Sequence, residues 1–195
     1  MGGQSPFLGL GATVVLVRFL VRFIETISRL GGHTAAGLVL TLIALMVYEV
    51  VARYAFAAPT TWGYEASTWV MGASFVLAIG YALMTDSHVR IDFLHDLLGP
   101  RARHAVDVLG YTLFLLPLLL WLTWGLWGYF YAALTTAERS GQSAWNPLIW
   151  PFRLVLFLGV GTLTLQVIAE VIKSATALAG RPLERGQAET SQRLE

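Results

Sequence analysis

The sequence contains no cysteine and few charged residues. Of its 195 residues, 13% are charged and 56% are hydrophobic, whereas about a quarter of the residues in a soluble domain carry a charge. Without cysteine, the chain cannot form disulfide bonds, thiolate metal sites or a catalytic thiol. The formal net charge of +1 offers no basic excess for binding nucleic acid. The composition therefore indicates a protein that lies in a lipid bilayer.

Four long apolar segments predict four membrane-spanning helices, at residues 35–52, 64–84, 105–134 and 154–172. About 20 residues are needed for a helix to cross the hydrocarbon core. A β-barrel would need alternating polar and apolar residues, which these segments lack. Because lipid offers the backbone no hydrogen-bond partner, the segments must be helical. The chain is therefore predicted to form a single all-α membrane domain over residues 1–195.

The third segment is longer than an upright span requires and contains Pro117. Because proline removes a backbone donor, we expect a kink between Leu113 and Pro117. Its second half is rich in aromatic residues, which favour the headgroup level of the membrane. An aromatic belt is the preferred interpretation, with a ligand-binding platform as the alternative. These aromatic residues are Trp121, Trp124, Trp127, Tyr129 and Tyr131.

Residues 7–30 have the pattern of an amphipathic helix. Arg18, Arg22, Glu25 and Arg29 are three or four positions apart and therefore share one helix face. This pattern predicts a helix lying on the membrane surface. A signal peptide would carry its positive charge before the apolar segment, and a fifth span would place these charges in lipid at a high cost.

The segment after the second span predicts a short helix at residues 93–98. Asp92 is a suitable N-cap for it, while His88 and Arg90 complement the C-terminal dipole of the preceding helix. A metal site formed by His88, Asp92, His95 and Asp96 is the less favoured alternative.

The distribution of lysine and arginine predicts the orientation of the chain in the membrane. Of the 13 such residues, only Arg53, Arg139 and Arg153 lie on one side of the predicted spans. The other side carries the rest and is therefore predicted to be cytoplasmic. It holds both termini, the 86–104 loop and the polar tail at 180–195.

The ionisable residues near the spans lie close to the span ends. Glu49, Glu65 and Glu170 can all reach the membrane interface, so they give little support for a proton pathway. Arg53 is four residues from Glu49, and we expect it to pair with Glu49 or Glu65, or else to extend to the headgroups. Gln166 is predicted to join two helices by hydrogen bonding.

The sequence shows no pattern typical of a catalytic or cofactor site. The four histidines lie outside the predicted spans, whereas haem held between helices needs axial ligands inside them. No nucleophile-and-base set, phosphate-binding loop or dinucleotide fingerprint is present. We therefore expect neither an enzyme nor a cofactor.

Two clusters of residues resemble a known family. The first is Arg53-Tyr54-Ala55-Phe56 followed by Pro59, Trp62 and Glu65, and the second is His88-Val89-Arg90-Ile91-Asp92. Together they are similar to the small permease subunit, of the DctQ type, of tripartite ATP-independent periplasmic (TRAP) transporters. Many relatives have valine at the position of Ile91 and lysine at the position of Arg153. The resemblance marks a set of structural or partner-interface candidates: Glu49, Arg53, Tyr54, Phe56, Pro59, Trp62, Glu65, His88, Arg90 and Asp92.

The resemblance implies a role in a sodium-coupled transporter that takes up an organic acid across the bacterial inner membrane. A periplasmic binding protein would capture the solute, and a large permease subunit would hold the sodium and solute sites. The small subunit would act as a scaffold that anchors the large one in the bilayer. Two alternatives remain open, a small four-helix proton-coupled exporter that uses Glu49 and a redox membrane anchor.

Overall fold

The computed structural model describes residues 7–85, 106 and 108–178, with side chains from residue 15 onward. These residues contain no strand, and their only bridge pairing joins Arg139 to Leu148. Four helices are long and apolar enough to cross a membrane, which confirms the predicted all-α membrane fold. The helices are α1 (Phe7–Ala55), α2 (Gly63–Met84), α3 (Val108–Thr135) and α4 (Trp150–Leu178).

Helix α1 is a single helix of 49 residues. The sequence pattern assigns this segment to two helices, at 7–30 and 35–52, and the structure joins them without a break. The physical reason is that charged residues on one face decide which side of a helix meets water, but they do not interrupt its backbone hydrogen bonds. The position of residues 7–30 on the membrane surface stays a prediction.

The ends of the other helices agree closely with the sequence, except in α4. Helix α2 begins at Gly63, and α3 ends at Thr135, each one residue beyond the expected limit. Helix α4 extends past the predicted 154–172 at both ends. Pro151 fits its first turn, where a missing backbone donor is tolerated. At the other end, α4 continues through Lys173, whose ammonium group is neutralised by the carboxylates of Glu25 and Glu170.

The helical hydrogen bonding of α3 changes where the sequence predicts a kink. Residues Tyr111–Leu115 form a π-helical turn, and the Leu116 N–H donates to the carbonyl of Tyr111. Pro117 follows directly and has no N–H to donate to the carbonyl of Leu113. The wider turn is a typical adaptation inside an α-helix, so Pro117 accounts for the local departure.

Helix α2 packs against α1 and α4, and α4 in turn packs against α3. The approach of α2 to α4 depends on Gly159, where an added Cβ would lie 2.8 Å from the carbonyl oxygen of Val76. Small residues permit such close helix contacts in membranes. The buried core between α2, α3 and α4 consists of Leu83, Leu119, Leu163 and Val167.

Two connections, residues 56–62 and 136–149, meet at one end of the bundle, here termed the outer end. The first turns through Ala57, which has a positive φ of 47°. The second closes as a small hairpin in which the Ser140 N–H donates to the Pro147 carbonyl at 3.0 Å. The hydroxyl of Ser143 in this hairpin donates to Glu65 at the start of α2. This contact joins the hairpin to the first turn of α2, directly after the first connection.

The predicted short helix at 93–98 and the predicted tail at 180–195 lie outside the described residues. The same holds for the loop that would carry the alternative metal site.

Candidate functional site

Arg53 pairs with Glu49 at the outer end of α1, as expected. Its Nη2 lies 2.6 Å from Glu49 Oε1, and Glu65 is not the partner. The other oxygen of Glu49 accepts a hydrogen bond from the Thr60 hydroxyl, which itself accepts one from the Gly63 N–H at 3.0 Å. Glu49 thus links the last turns of α1, the connection and the first turn of α2.

Gly63 leaves room for this arrangement. A Cβ at Gly63 would lie 2.6 Å from Glu49 Oε2, so a larger residue there would require the Glu49 and Thr60 side chains to shift. The sequence pattern did not identify Thr60 or Gly63, although their position between Arg53 and Glu65 could have suggested them.

Glu65 lies in the first turn of α2 and is fully buried. Its Oε2 accepts a hydrogen bond from the Ser143 hydroxyl. Its Oε1 has no hydrogen-bond partner among the described residues. A carboxylate at this position is stabilised by the N-terminal end of the helix dipole. Glu65 therefore joins α2 to the 136–149 connection and does not belong to the Arg53 pair.

The aromatic residues of the first motif cluster differ in their surroundings. Trp62 stacks on Tyr48, with ring centroids 5.9 Å apart and planes inclined by 22°. Tyr54, Phe56 and Pro59 are exposed, so they face lipid, water or a partner. An open groove of about 280 Å³ lies beside Phe56 at the outer end of α1. It is lined by Tyr48, Val51, Ala52, Phe56 and Ala58.

The second motif cluster is not part of the described structure. His88, Arg90 and Asp92 lie in the range 86–105, so their assignment as interface candidates stays a prediction.

A second ion pair at the outer end was not expected from the sequence. Arg153 in α4 is buried and donates two hydrogen bonds to the carboxylate of Glu138, at 2.6 and 2.7 Å. The guanidinium group also lies 3.5 Å from the ring centroid of Tyr129 and donates to its carbonyl at 3.2 Å. This contact fastens α3 and the hairpin to α4. From the sequence only the two charges could be recognised, because their pairing depends on the path of the hairpin.

At the opposite end, α1 and α4 are joined by a chain of polar contacts, here termed the inner network. The Ser28 hydroxyl donates to Gln166 Oε1 at 2.7 Å, which confirms the predicted role of Gln166 between helices. The Gln166 amide donates to Glu170 at 3.0 Å. Lys173 then lies 2.7 Å from Glu170 and 3.1 Å from Glu25. The network ties the first half of α1 to the end of α4.

The arrangement at both ends joins helices and their connections. The contacts unite carboxylates with cations or hydroxyls of the same chain, and no described group brings together three potential metal-ligating side chains. Where the cation is buried, as Arg153 is, breaking the pair is costly, because the arginine is left as an uncompensated charge.

Comparison with protein families identifies the family of this chain. The model of the DctQ component of tripartite ATP-independent periplasmic transporters matches residues 42–177. The chain belongs to the DctQ family. The match confirms the resemblance given by the two motif clusters. Searches of curated proteins and of solved structures gave no match.

The DctQ match covers the last 14 of the 49 residues of α1 and all of α2 and α3, and it ends one residue before the end of α4. It therefore includes both outer contacts and the α4 side of the inner network. Glu25 and Ser28 precede it. A DctQ component is a membrane subunit of a transporter, so the four apolar helices of this chain belong to a multi-pass membrane protein.

Proposed function

We propose that this DctQ component is the scaffold subunit of a sodium-coupled TRAP transporter for organic acid uptake. It packs against the static part of the large permease subunit and anchors that subunit in the bacterial inner membrane, with both termini in the cytoplasm. The large subunit holds the sodium and solute sites, and a periplasmic binding protein delivers the solute.

The observation that carries this proposal is that polar side chains inside the bundle bond to one another. Ser28 in α1 binds Gln166 in α4, Gln166 also binds Glu170 on its own helix, and Arg153 in α4 binds Glu138 in the hairpin. A solute pathway needs polar groups that exchange partners during transport. Groups committed to helix contacts suit a rigid body that supports a moving partner.

Reconstitution in liposomes tests the proposal. This chain alone, the large permease subunit alone, and the complex with the binding protein are compared under an inward sodium gradient. We expect uptake of organic acid by the complex and none by this chain alone. Solute transport by this chain without the large subunit would overturn the scaffold role.

The same samples separate the two alternatives. Proton-coupled export that disappears in Glu49→Gln would favour the exporter, although Arg53 and Thr60 already bind that carboxylate. Haem absorbance in the purified protein would favour the redox anchor. A colourless protein that transports only as part of the complex supports the scaffold.

A further inference from the structure

Two tryptophans on α3 project outward from the bundle. The exposed fractions of Trp121 and Trp124 are 73% and 77%. By contrast, Trp127 packs against Phe130 and Phe157. Within the described part of the chain, neither Trp121 nor Trp124 has a ring partner or a hydrogen bond to its indole N–H. The large apolar rings and their polar donors are therefore both presented to the surroundings.

The depth of these residues can be read from Tyr129. The carbonyl and ring of Tyr129 contact Arg153, which pairs with Glu138 in the outer hairpin. These charges mark the polar rim of the membrane. At a rise of about 1.5 Å per residue, Trp124 lies about 7 Å and Trp121 about 12 Å further into the bundle.

The length of α3 leads to the same depth independently. The described part of the helix, Val108–Thr135, has 28 residues, whereas about 20 fill the hydrocarbon core. Whichever 20 consecutive residues of this described part fill an upright span, Trp121 lies at least about 7 Å from either boundary of the core. An aromatic belt explains rings at the headgroup level, where Tyr129 lies, but not a ring at this depth.

An indole N–H has no acceptor among lipid chains. Leaving such a donor unpaired in hydrocarbon carries a free-energy cost. A second membrane-spanning protein removes this cost if it offers a carbonyl or hydroxyl oxygen at the same depth. Tryptophan is also the residue most enriched among the sites that dominate binding energy at protein interfaces.

We propose that the face of α3 bearing Trp121 and Trp124 binds a membrane-spanning helix of the large permease subunit. This inference rests on the proposed function, because that function supplies the partner. Gly125 and Gly128 lie four residues after the two tryptophans, and an added Cβ at either meets nothing within 4 Å. Small residues beside the rings let a partner helix approach closely.

The exposed side of α1 provides the contrast. Apart from Tyr48 near the outer end, the large exposed residues in its span have aliphatic or thioether side chains without a hydrogen-bond donor, so lipid chains satisfy them fully. This group includes Leu40, Ile43, Val47 and Val50.

Site-specific photo-crosslinking tests the inference in the co-expressed complex. A benzophenone-bearing amino acid replaces Trp121 or Trp124, and Leu40 or Val47 as matched controls on α1. We expect a covalent adduct with the large permease subunit when the probe is at either α3 position, and no adduct when it is at either α1 position. An adduct at twice the mass of this chain would overturn the inference in favour of a second copy.

Substitution gives the second measurement. Trp121→Leu combined with Trp124→Leu keeps the surface apolar, and we expect association with the large subunit to weaken on the order of thirtyfold. Leu40→Ala with Val47→Ala should leave association unchanged. The inference fails, and the proposed function stands, under one combination of results. In that case the wild-type chain co-purifies with the large subunit, but residues at positions 121 and 124 do not crosslink to it and the double variant associates with it as strongly as the wild type. If the wild-type chain does not co-purify, the proposed function fails.

Discussion

The guanidinium group of Arg153 and the carboxylate of Glu138 are joined by two parallel hydrogen bonds, at 2.6 and 2.7 Å. The arginine is buried in α4, whereas the glutamate comes from the hairpin and is 44% exposed. Two-point pairing of this kind is specific to arginine, since a lysine ammonium cannot reproduce the planar geometry. The outer ends of α3 and α4 are therefore fixed relative to each other by one side chain.

Glu138→Ala is expected to destabilise the protein because it leaves Arg153 buried without its partner. Since Glu138 is partly exposed, we expect about 1–2 kcal/mol, less than the loss for a fully buried pair. Thermal unfolding of the detergent-solubilised protein measures the effect. Gln142→Ala, an exposed change in the same hairpin, should leave the unfolding temperature unchanged. An equal response of the two variants would contradict the assigned role of the pair.

Gly159→Ala is expected to force α2 and α4 apart. The new Cβ would lie 2.8 Å from the Val76 carbonyl oxygen, and overpacking of this kind costs about 1–3 kcal/mol. The matched control is Gly161→Ala on the same helix, where an added Cβ meets nothing within 4 Å. That control should be neutral or stabilising by up to about 1 kcal/mol. The difference in unfolding temperature between the two variants is the measurement, and its absence would count against the close helix contact.

Arg53→Ala is expected to reduce the yield of assembled transporter without altering the apparent affinity for the solute. The side chain of Arg53 is 52% exposed, so the pair with Glu49 contributes less than about 1 kcal/mol to folding. Its loss leaves a carboxylate near lipid with Thr60 as its remaining hydrogen-bonding partner in the described structure. Complex yield and solute KM are measured together. Arg53→Lys should preserve most of the yield, and a changed KM in fully assembled complex would refute the structural role.

Deletion of residues 1–30 is expected to leave four spans but to loosen the inner network. The deletion removes Glu25 and Ser28, which bind Lys173 and Gln166. We expect the unfolding temperature of the complex to fall by on the order of 5 °C. Deletion of residues 1–14 retains both contacts and serves as the control. Identical assembly, transport and thermal stability in the two truncations would show that the network does not contribute.

The sequence was sufficient to predict those features that depend on local pattern. Apolar length gave the four helices, and the four-residue spacing gave the pair of Glu49 and Arg53. The effect of Pro117 was predictable because a missing N–H acts on its own helix. Family membership was predictable from residues 53–65 and 88–92, which form two local clusters.

Contacts between distant segments could not be read from the sequence. Glu138 and Arg153 meet because the hairpin folds back onto α4. Glu65 at the start of α2 meets Ser143 in the same hairpin, 78 residues further along the chain. Glu25 meets Lys173 because α1 continues as one helix along α4. Spacing rules describe neighbours on one helix, and they do not reveal which charged residue another helix will supply.

The continuity of α1 has a mechanical consequence. A 49-residue helix is roughly 73 Å long, more than twice the thickness of the hydrocarbon core. An unbroken helix curves only gently, so residues 7–30 follow the direction of the part that crosses the membrane. The tilt of the span and the predicted position of residues 7–30 at the membrane surface are therefore coupled, because an amino-terminal part that lies along the surface requires a strongly tilted span.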